Sequence, residues 1–447
     1  MDPLKGNVVK VFIHYALPSI IGMLALSSSG IIDGIFVGNY VGSSALAAVN
    51  LSIPVIAFIM GLAMMFAIGG SVTIGKFLGE NNDEQASSVF TAMLIAMGII
   101  SVAIAILGYI FIDPLLTLLG SNAELMPLAR DYIQIIIQFI PAYMFGIVLV
   151  YIVRIDGWPT LAGAAYVVCA LVNIVLDWYF ITQLDLGLKG AAWATIIAQF
   201  ALIVVIAPYF FSSKRRLKLK LRPGATSHVW RSVVNGSSDF ANEASAGITA
   251  LVFNWVMMSR FGIDGVAAFA VVNYILFTGL IICFAVSDAM QPLISTCYGA
   301  NDFKRINAFL KVGSGFIFLI GLSIIAVLLS VPEMMVSLFI DSSSLETSKV
   351  ANEFIDYFWP AFLFNGLNIC VAAYFTAMHK PLPSGVIAVS RSLLFPVICL
   401  IVLPMFWQHQ GVFAAIPLAE LITFVIALWL FKQNSPKSII DKEKIAQ

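Results

Sequence analysis

Four polar side chains stand inside segments that are otherwise hydrocarbon. Asp33 lies in SSSGIIDGIFVGNY (27–40), Asn173 and Asp177 in LVNIVLDWYF (171–180), and Thr195 in AAWATIIAQF (191–200). A charged side chain at mid-bilayer costs about 2.5–3.5 kcal/mol on insertion scales, so an acid kept there implies a task. The chemistry open to it is carriage of a proton or a cation; the structural alternative is a polar clip between helices. Asn173 and Asp177 are four residues apart and share one helix face, which Tyr166 and Ala170 continue. Counted along their helices, Asp33 and Asp177 both fall in the outer half, and Thr195 enters at a similar level, so the three can meet at one depth.

The segments that must position them dominate the chain. Of its 447 residues 60% are hydrophobic and 11% charged, with a mean hydropathy of +0.98, whereas soluble domains carry about 25% charged residues. Twelve apolar stretches are long enough to cross a core that takes about 20 helical residues: 11–38, 45–75, 87–112, 126–152, 160–183, 189–212, 229–259, 265–298, 307–330, 350–378, 384–407 and 411–432. The first has no small-residue cleavage site behind it and is expected to be retained. The positive-inside rule puts both termini in the cytoplasm, because 19 of the 24 Lys and Arg then fall on that side.

An internal repeat divides the chain. GSSALAAVNLSIPV (42–55) lies over GIDGVAAFAVVNYI (262–275), IPAYMF (140–145) over WPAFLF (359–364), and GWPTLAG (157–163) over HKPLPSG (379–385). The expected fold is an all-α polytopic membrane protein, its twelve helices in two six-helix bundles related by a pseudo-twofold axis along the membrane normal. The divisions are an N-lobe (1–212), a basic cytoplasmic linker (213–228), a C-lobe (229–432) and a cytoplasmic tail (433–447). The linker run SSKRRLKLKLRPGA (212–225) admits a sharper reading as an anionic-lipid or nucleic-acid patch, but anchor plus linker accounts for it, and no nucleic-acid partner is expected.

The duplicated plan, with Asp33, Asn173, Asp177 and Thr195, resembles the multidrug and toxic compound extrusion (MATE) transporters, in the DinF-type branch. The resemblance implies a secondary antiporter that expels amphipathic, often cationic compounds in exchange for inward H⁺ or Na⁺. Asp33, Asn173, Asp177 and Thr195 then form the coupling cluster, with protonation of Asp33 as the switch. It further implies a bacterial-type inner or plasma membrane, no cofactor beyond the coupling ion, no metal site, and a monomer.

Further candidates lie elsewhere. DFANEASAG (239–247) puts Asp239 and Glu243 four apart on the seventh helix, and Glu243 resembles a seventh-helix glutamate implicated in coupling in other MATE branches. Glu420 is near mid-depth, and the depths of Asp288 and Arg391 allow a salt bridge. On the first helix Pro18 removes a backbone donor, and Gly30, Gly34 and Gly38 make a small-residue stripe, which suits a hinge or close helix packing. Met60, Met64, Met65, Met257 and Met258 suit either a deformable pocket or ordinary packing.

Enzyme readings find no support. There is no GxxxxGK[ST] loop, no HExxH and no GxSxG elbow, and an intramembrane aspartyl protease leaves the duplication without a role. A lipid-linked sugar flippase is the main alternative, but it calls for several deep cations, and Arg391 stands alone as a buried one. Cys169, Cys283, Cys297, Cys370 and Cys399 all fall in spans without metal-ligand spacing.

Overall fold

The computed structural model describes residues 1–337 and 345–446, so the expected tail 433–447 ends on a residue outside the described ones. Each of the twelve expected segments is helical. Nine helices among the described residues are long and apolar enough to cross a membrane, and eleven spans result when two bent pairs each count as one. The remaining expected span, 229–259, falls short in composition because it carries Asn235, Ser238, Asp239, Asn242, Glu243 and Ser245.

The chain forms two compact units: Met1–Gly6 with Ile13–Gly236, and Asn7–Phe12 with Ser237–Gln447. In the first, α1 (Val8–Phe36), α2 (Ser43–Gly79) and α3 (Asp83–Ile110) are followed by a short α4 (Ile112–Leu118). Then come α5 (Leu125–Gln138), α6 (Ile140–Ile155), α7 (Pro159–Asp177) and α8 (Gly187–Phe211). The expected single span at 126–152 is broken: α5 and α6 meet at Phe139 with a 54° bend, because Pro141 in the first turn of α6 has no N–H to continue the ladder. The core joins α2, α3, α5, α6 and α8 around Phe66, Phe90, Tyr132 and Tyr151.

The second unit repeats this local grammar. Its helix α9 (Ala225–Gly299) is interrupted at Gly262, where φ 65° and ψ −152° are left to glycine by the missing Cβ. After it come α10 (Phe303–Ser330), α11 (Pro332–Ser337), α12 (Leu345–Phe358), α13 (Ala361–Ala377), α14 (Pro381–Val389), α15 (Phe395–Phe413), α16 (Ala415–Gln433) and α17 (Pro436–Ala446). A 58° bend between α12 and α13 falls at Trp359 and Pro360, the positions that repeat Ile140 and Pro141. Stacked rings of Phe253, Phe269, Phe354 and Phe413 fill this core.

The small-residue stripe of α1 does not pack. A Cβ at Gly30 or Gly34 would meet nothing within 4 Å, and one at Gly38 only Leu46 at 3.6 Å. Close approach occurs nearer the start of the helix, where a Cβ on Gly163 of α7 would lie 2.4 Å from the Pro18 carbonyl oxygen, and one on Gly22 would lie 3.1 Å from the Tyr166 Cβ. Gly163→Val should therefore push α1 off α7 and cost about 1–3 kcal/mol as overpacking. The check is the thermal denaturation midpoint in detergent, with Gly30→Ala, where space is open, as the unshifted control.

Candidate functional site

Asp33 stands in the last turns of α1, and Asp177 is the last residue of α7. Each helix then loosens into a π turn, Val37–Val41 after α1 and Trp178–Gln183 after α7, and the two turns pack together. π turns of this kind concentrate at functional sites. The first ends at Gly42, whose φ of 113° closes a bond from its N–H to the Val37 carbonyl.

That convergence brings the two carboxyl groups within hydrogen-bond reach of one another. Such a bond closes only when one of the two carries a proton, since a carboxylate has no hydrogen to donate. Neither Asp177 oxygen, nor Asp33 Oδ1, has any other hydrogen-bond partner among the described residues. Two bare carboxylates facing one another would repel, and the low dielectric of a helix bundle sharpens that repulsion.

The rest of the predicted cluster is less tightly joined. Asn173 is buried on the Asp177 face of α7, in line with Tyr166, Cys169 and Ala170, but it makes no hydrogen bond to Asp177 among the described residues. Thr195, half-buried on α8, makes none to either acid. Spacing sets the face and depth of these two, and side-chain reach across the helices is a separate matter. Tyr132, which sequence reasoning missed, is close enough to feel the charge of both acids. It lies on the buried stripe of the strongly amphipathic α5 with Ala129, Ile133 and Ile136; a polar-tipped residue there was its available signal. Beside it, Tyr143 Oη donates to Met60 Sδ at 3.6 Å.

In the second unit the acids are joined differently from expectation. Arg391 does not pair with Asp288 but with Glu420, Nε to Oε1 at 3.5 Å, both side chains deeply buried. Asn368 Nδ2 also donates to Glu420, to Oε2 at 2.7 Å and to the backbone oxygen at 2.9 Å. Arg391 Nη1 donates to Asn242 Oδ1 at 3.1 Å, which accepts from Ser392 Oγ as well. Depth along a helix fixed Arg391 and Asp288 at one level but said nothing of azimuth, and Glu420 on α16 faces the guanidinium instead. A third π turn, Ser390–Leu394, carries Arg391 inward. Asp239 accepts from Ser238 Oγ at 3.4 Å. Asp239 and Asp288 line a cavity of about 40 Å³ with Asn242, Ser287, Gln291 and Arg391.

The methionines divide. Met60, Met64 and Met65 are half-buried against the first core, Met257 is fully buried in the second, and Met258 is exposed. All five cysteines are buried, and none forms a disulfide among the described residues. Among the described residues no group of three or more His, Cys, Asp or Glu is arranged to hold a metal ion.

Units of membrane-crossing helices, one with two neighbouring acids and the other with a buried ionic network, are the make-up of a membrane transporter. The chain belongs to the MATE family: the family model described as MatE matches residues 18–179 and 248–401. It is 22% identical over 451 residues to the multidrug export protein MepA of Staphylococcus aureus (strain NCTC 8325 / PS 47), covering 99% of this chain and 98% of that one. The MepA of Staphylococcus haemolyticus (strain JCSC1435) is 22% identical over 446 residues, covering 99% and 97%. Among solved structures, an outward-facing multidrug resistance MATE family transporter of the MOP superfamily shares the fold at a TM-score of 0.92 and 23% identity, with 98% of each chain covered. A MOP superfamily transporter from Pyrococcus furiosus Vc1, described as having a binding pocket of reversed polarity, matches at 0.90 and 23%, also over 98% of each chain.

Proposed function

We propose that this protein is a proton-coupled antiporter that exports amphipathic, often cationic compounds by alternating access, with Asp33 as the proton carrier and Asp177 as its partner. The observation that carries this reading is the carboxyl pair, facing each other without a cationic partner among the described residues. A site that stabilises the singly protonated pair can exchange that proton as the pair is separated. Relatives named as multidrug export proteins support the substrate class. Pro18 and the unpacked Gly30 and Gly34 of α1 supply the compliance that separation requires. In this reading 1–212 and 229–432 act as the two lobes, 213–228 and both termini are cytoplasmic, and the monomer in the bacterial inner or plasma membrane is the working unit. Asn173 and Thr195 complete the polar surround. Asp239, Glu243, Asp288 and Glu420 serve the second lobe as substrate contacts or as its internal network.

The test is efflux of a fluorescent cation from everted vesicles under separately imposed gradients. ΔpH alone should drive uphill movement, and ΔNa⁺ alone should not. Drive by ΔNa⁺ alone would transfer the coupling role to Na⁺.

A further inference from the structure

The basic stretch between α8 and α9 is not a loose connector. From Arg216 to Arg222 the backbone is non-helical, and alternate N–H groups fasten it to the first unit. Arg216 N donates to Asp156 Oδ2 at 3.0 Å, Lys218 N to Ser87 Oγ at 3.0 Å, Lys220 N to Thr91 Oγ1 at 2.9 Å and Arg222 N to Ser88 Oγ at 3.0 Å. Two of its arginines are neutralised at the start of α3, Arg216 by Asp83 at 2.5 Å and Arg222 by Glu84. Leu217 is wholly buried. The strap is thus held along the first two turns of α3, within about 12 Å of that helix's end at 1.5 Å per residue.

Since α3 itself is a membrane span, this places the strap at headgroup level, with the ends of α8 and α9 beside it. Leu217 turns into the core, and the leucines at 219 and 221, which alternate along the chain with the cations at 218, 220 and 222, remain outside it. Leu219 and Leu221 are 61% and 62% exposed, as is the ring of Phe211 that ends α8, at 88%. Lys214, Lys218 and Lys220 are exposed and have no acidic partner among the described residues. Exposed apolar side chains interleaved with unpaired cations at the end of a membrane span are the composition of an interfacial element.

We infer that residues 212–222 form an interfacial strap that binds the anionic phospholipid headgroups of the adjoining leaflet through Lys214, Lys218 and Lys220, with Leu219 and Leu221 set toward the acyl chains. The two arginines that are already paired fix the strap; the three free lysines are left for lipid phosphate. The occupant follows from charge complementarity and level, because the surface of a cytoplasmic leaflet is negative and attracts each basic residue near it.

The test uses the full-length purified transporter with phosphatidylglycerol and phosphatidylcholine offered together, and lipid retention read by native mass spectrometry. Wild type should retain phosphatidylglycerol preferentially, and the Lys214→Gln, Lys218→Gln, Lys220→Gln triple variant should lose about fivefold in affinity per charge, or about a hundredfold in all. Equal retention of the two lipids by wild type, or an unchanged preference in the triple variant, overturns the inference. So does displacement of the lipid by millimolar inorganic phosphate, which would reveal a general phosphate surface. The leucine face is read independently. All native cysteines are buried, so a spin label on Leu221→Cys reports on that site alone in reconstituted bilayers. Its collision rate should be higher with oxygen than with a water-soluble nickel chelate; the reverse places the strap in water and rejects the lipid contact.

Discussion

An Asp33→Asn transporter is expected to fold and insert but to extrude nothing against a gradient when ΔpH is imposed. Asparagine offers an N–H where a protonated aspartate offers an O–H, so the contact with Asp177 stays closed, and a permanently closed pair cannot signal proton release. Binding should survive while its pH dependence goes. Allosteric couplings of about 1–3 kcal/mol correspond to about 5- to 150-fold in affinity, and that factor between acid and neutral pH is what the variant should lose. The check is substrate binding by fluorescence anisotropy at two pH values beside efflux from everted vesicles. Wild-type uphill efflux by Asp33→Asn would make the pair a structural clip. Asp177→Asn, which closes the same contact from the other side, should reproduce the defect, because neither Asp177 oxygen has another hydrogen-bond partner among the described residues.

The carboxyl pair is largely legible in the amino-acid sequence, for a physical reason. A bilayer punishes buried charge, so Asp33 and Asp177 stand out against their neighbours, and the even rise of a helix converts sequence position into depth. The buried face of α7 from Tyr166 to Asp177 follows from the 3.6-residue period alone. What depth cannot supply is azimuth. Arg391 and Asp288 lie at compatible levels, but the guanidinium turns to Glu420. Tyr132 joins the pair from α5, a segment that hydropathy merges with α6. The bends at Phe139 and at Trp359–Pro360 are written in the repeated IPAYMF and WPAFLF, yet hydropathy averages across them. The π turns leave no mark in composition, since each needs one extra residue in a turn and no special residue type. Arg154, near the end of α6, is 1% exposed and sits over the Tyr151 ring at 4.8 Å. Its long apolar stem is indistinguishable in a hydropathy window from one that reaches water.

The ionic network of the second unit yields the other large effect. Arg391→Met is expected to destabilise the protein by about 3–5 kcal/mol, because it strands Glu420 as a buried carboxylate with only the Asn368 amide to solvate it. Arg391→Met combined with Glu420→Leu removes both charges and fills the space with side chains of similar bulk, a replacement that is typically neutral or stabilising by about 1–4 kcal/mol. The double variant should therefore melt near wild type while the single variant does not, a coupling visible only as a cycle. Thermal midpoints in detergent measure it, and vesicle efflux of the double variant separates stability from transport. Recovery of both stability and efflux would make the pair a packing element and leave coupling to the first unit. Recovered stability without efflux would mean that Arg391 and Glu420 act on the adjoining cavity of Asp239 and Asp288, where Arg391 is the one cation among the described lining residues. An unshifted Arg391→Met single variant would show that Glu420 is already neutral in the folded protein, and the salt bridge would then be no part of what holds the Ser390–Leu394 turn to α16.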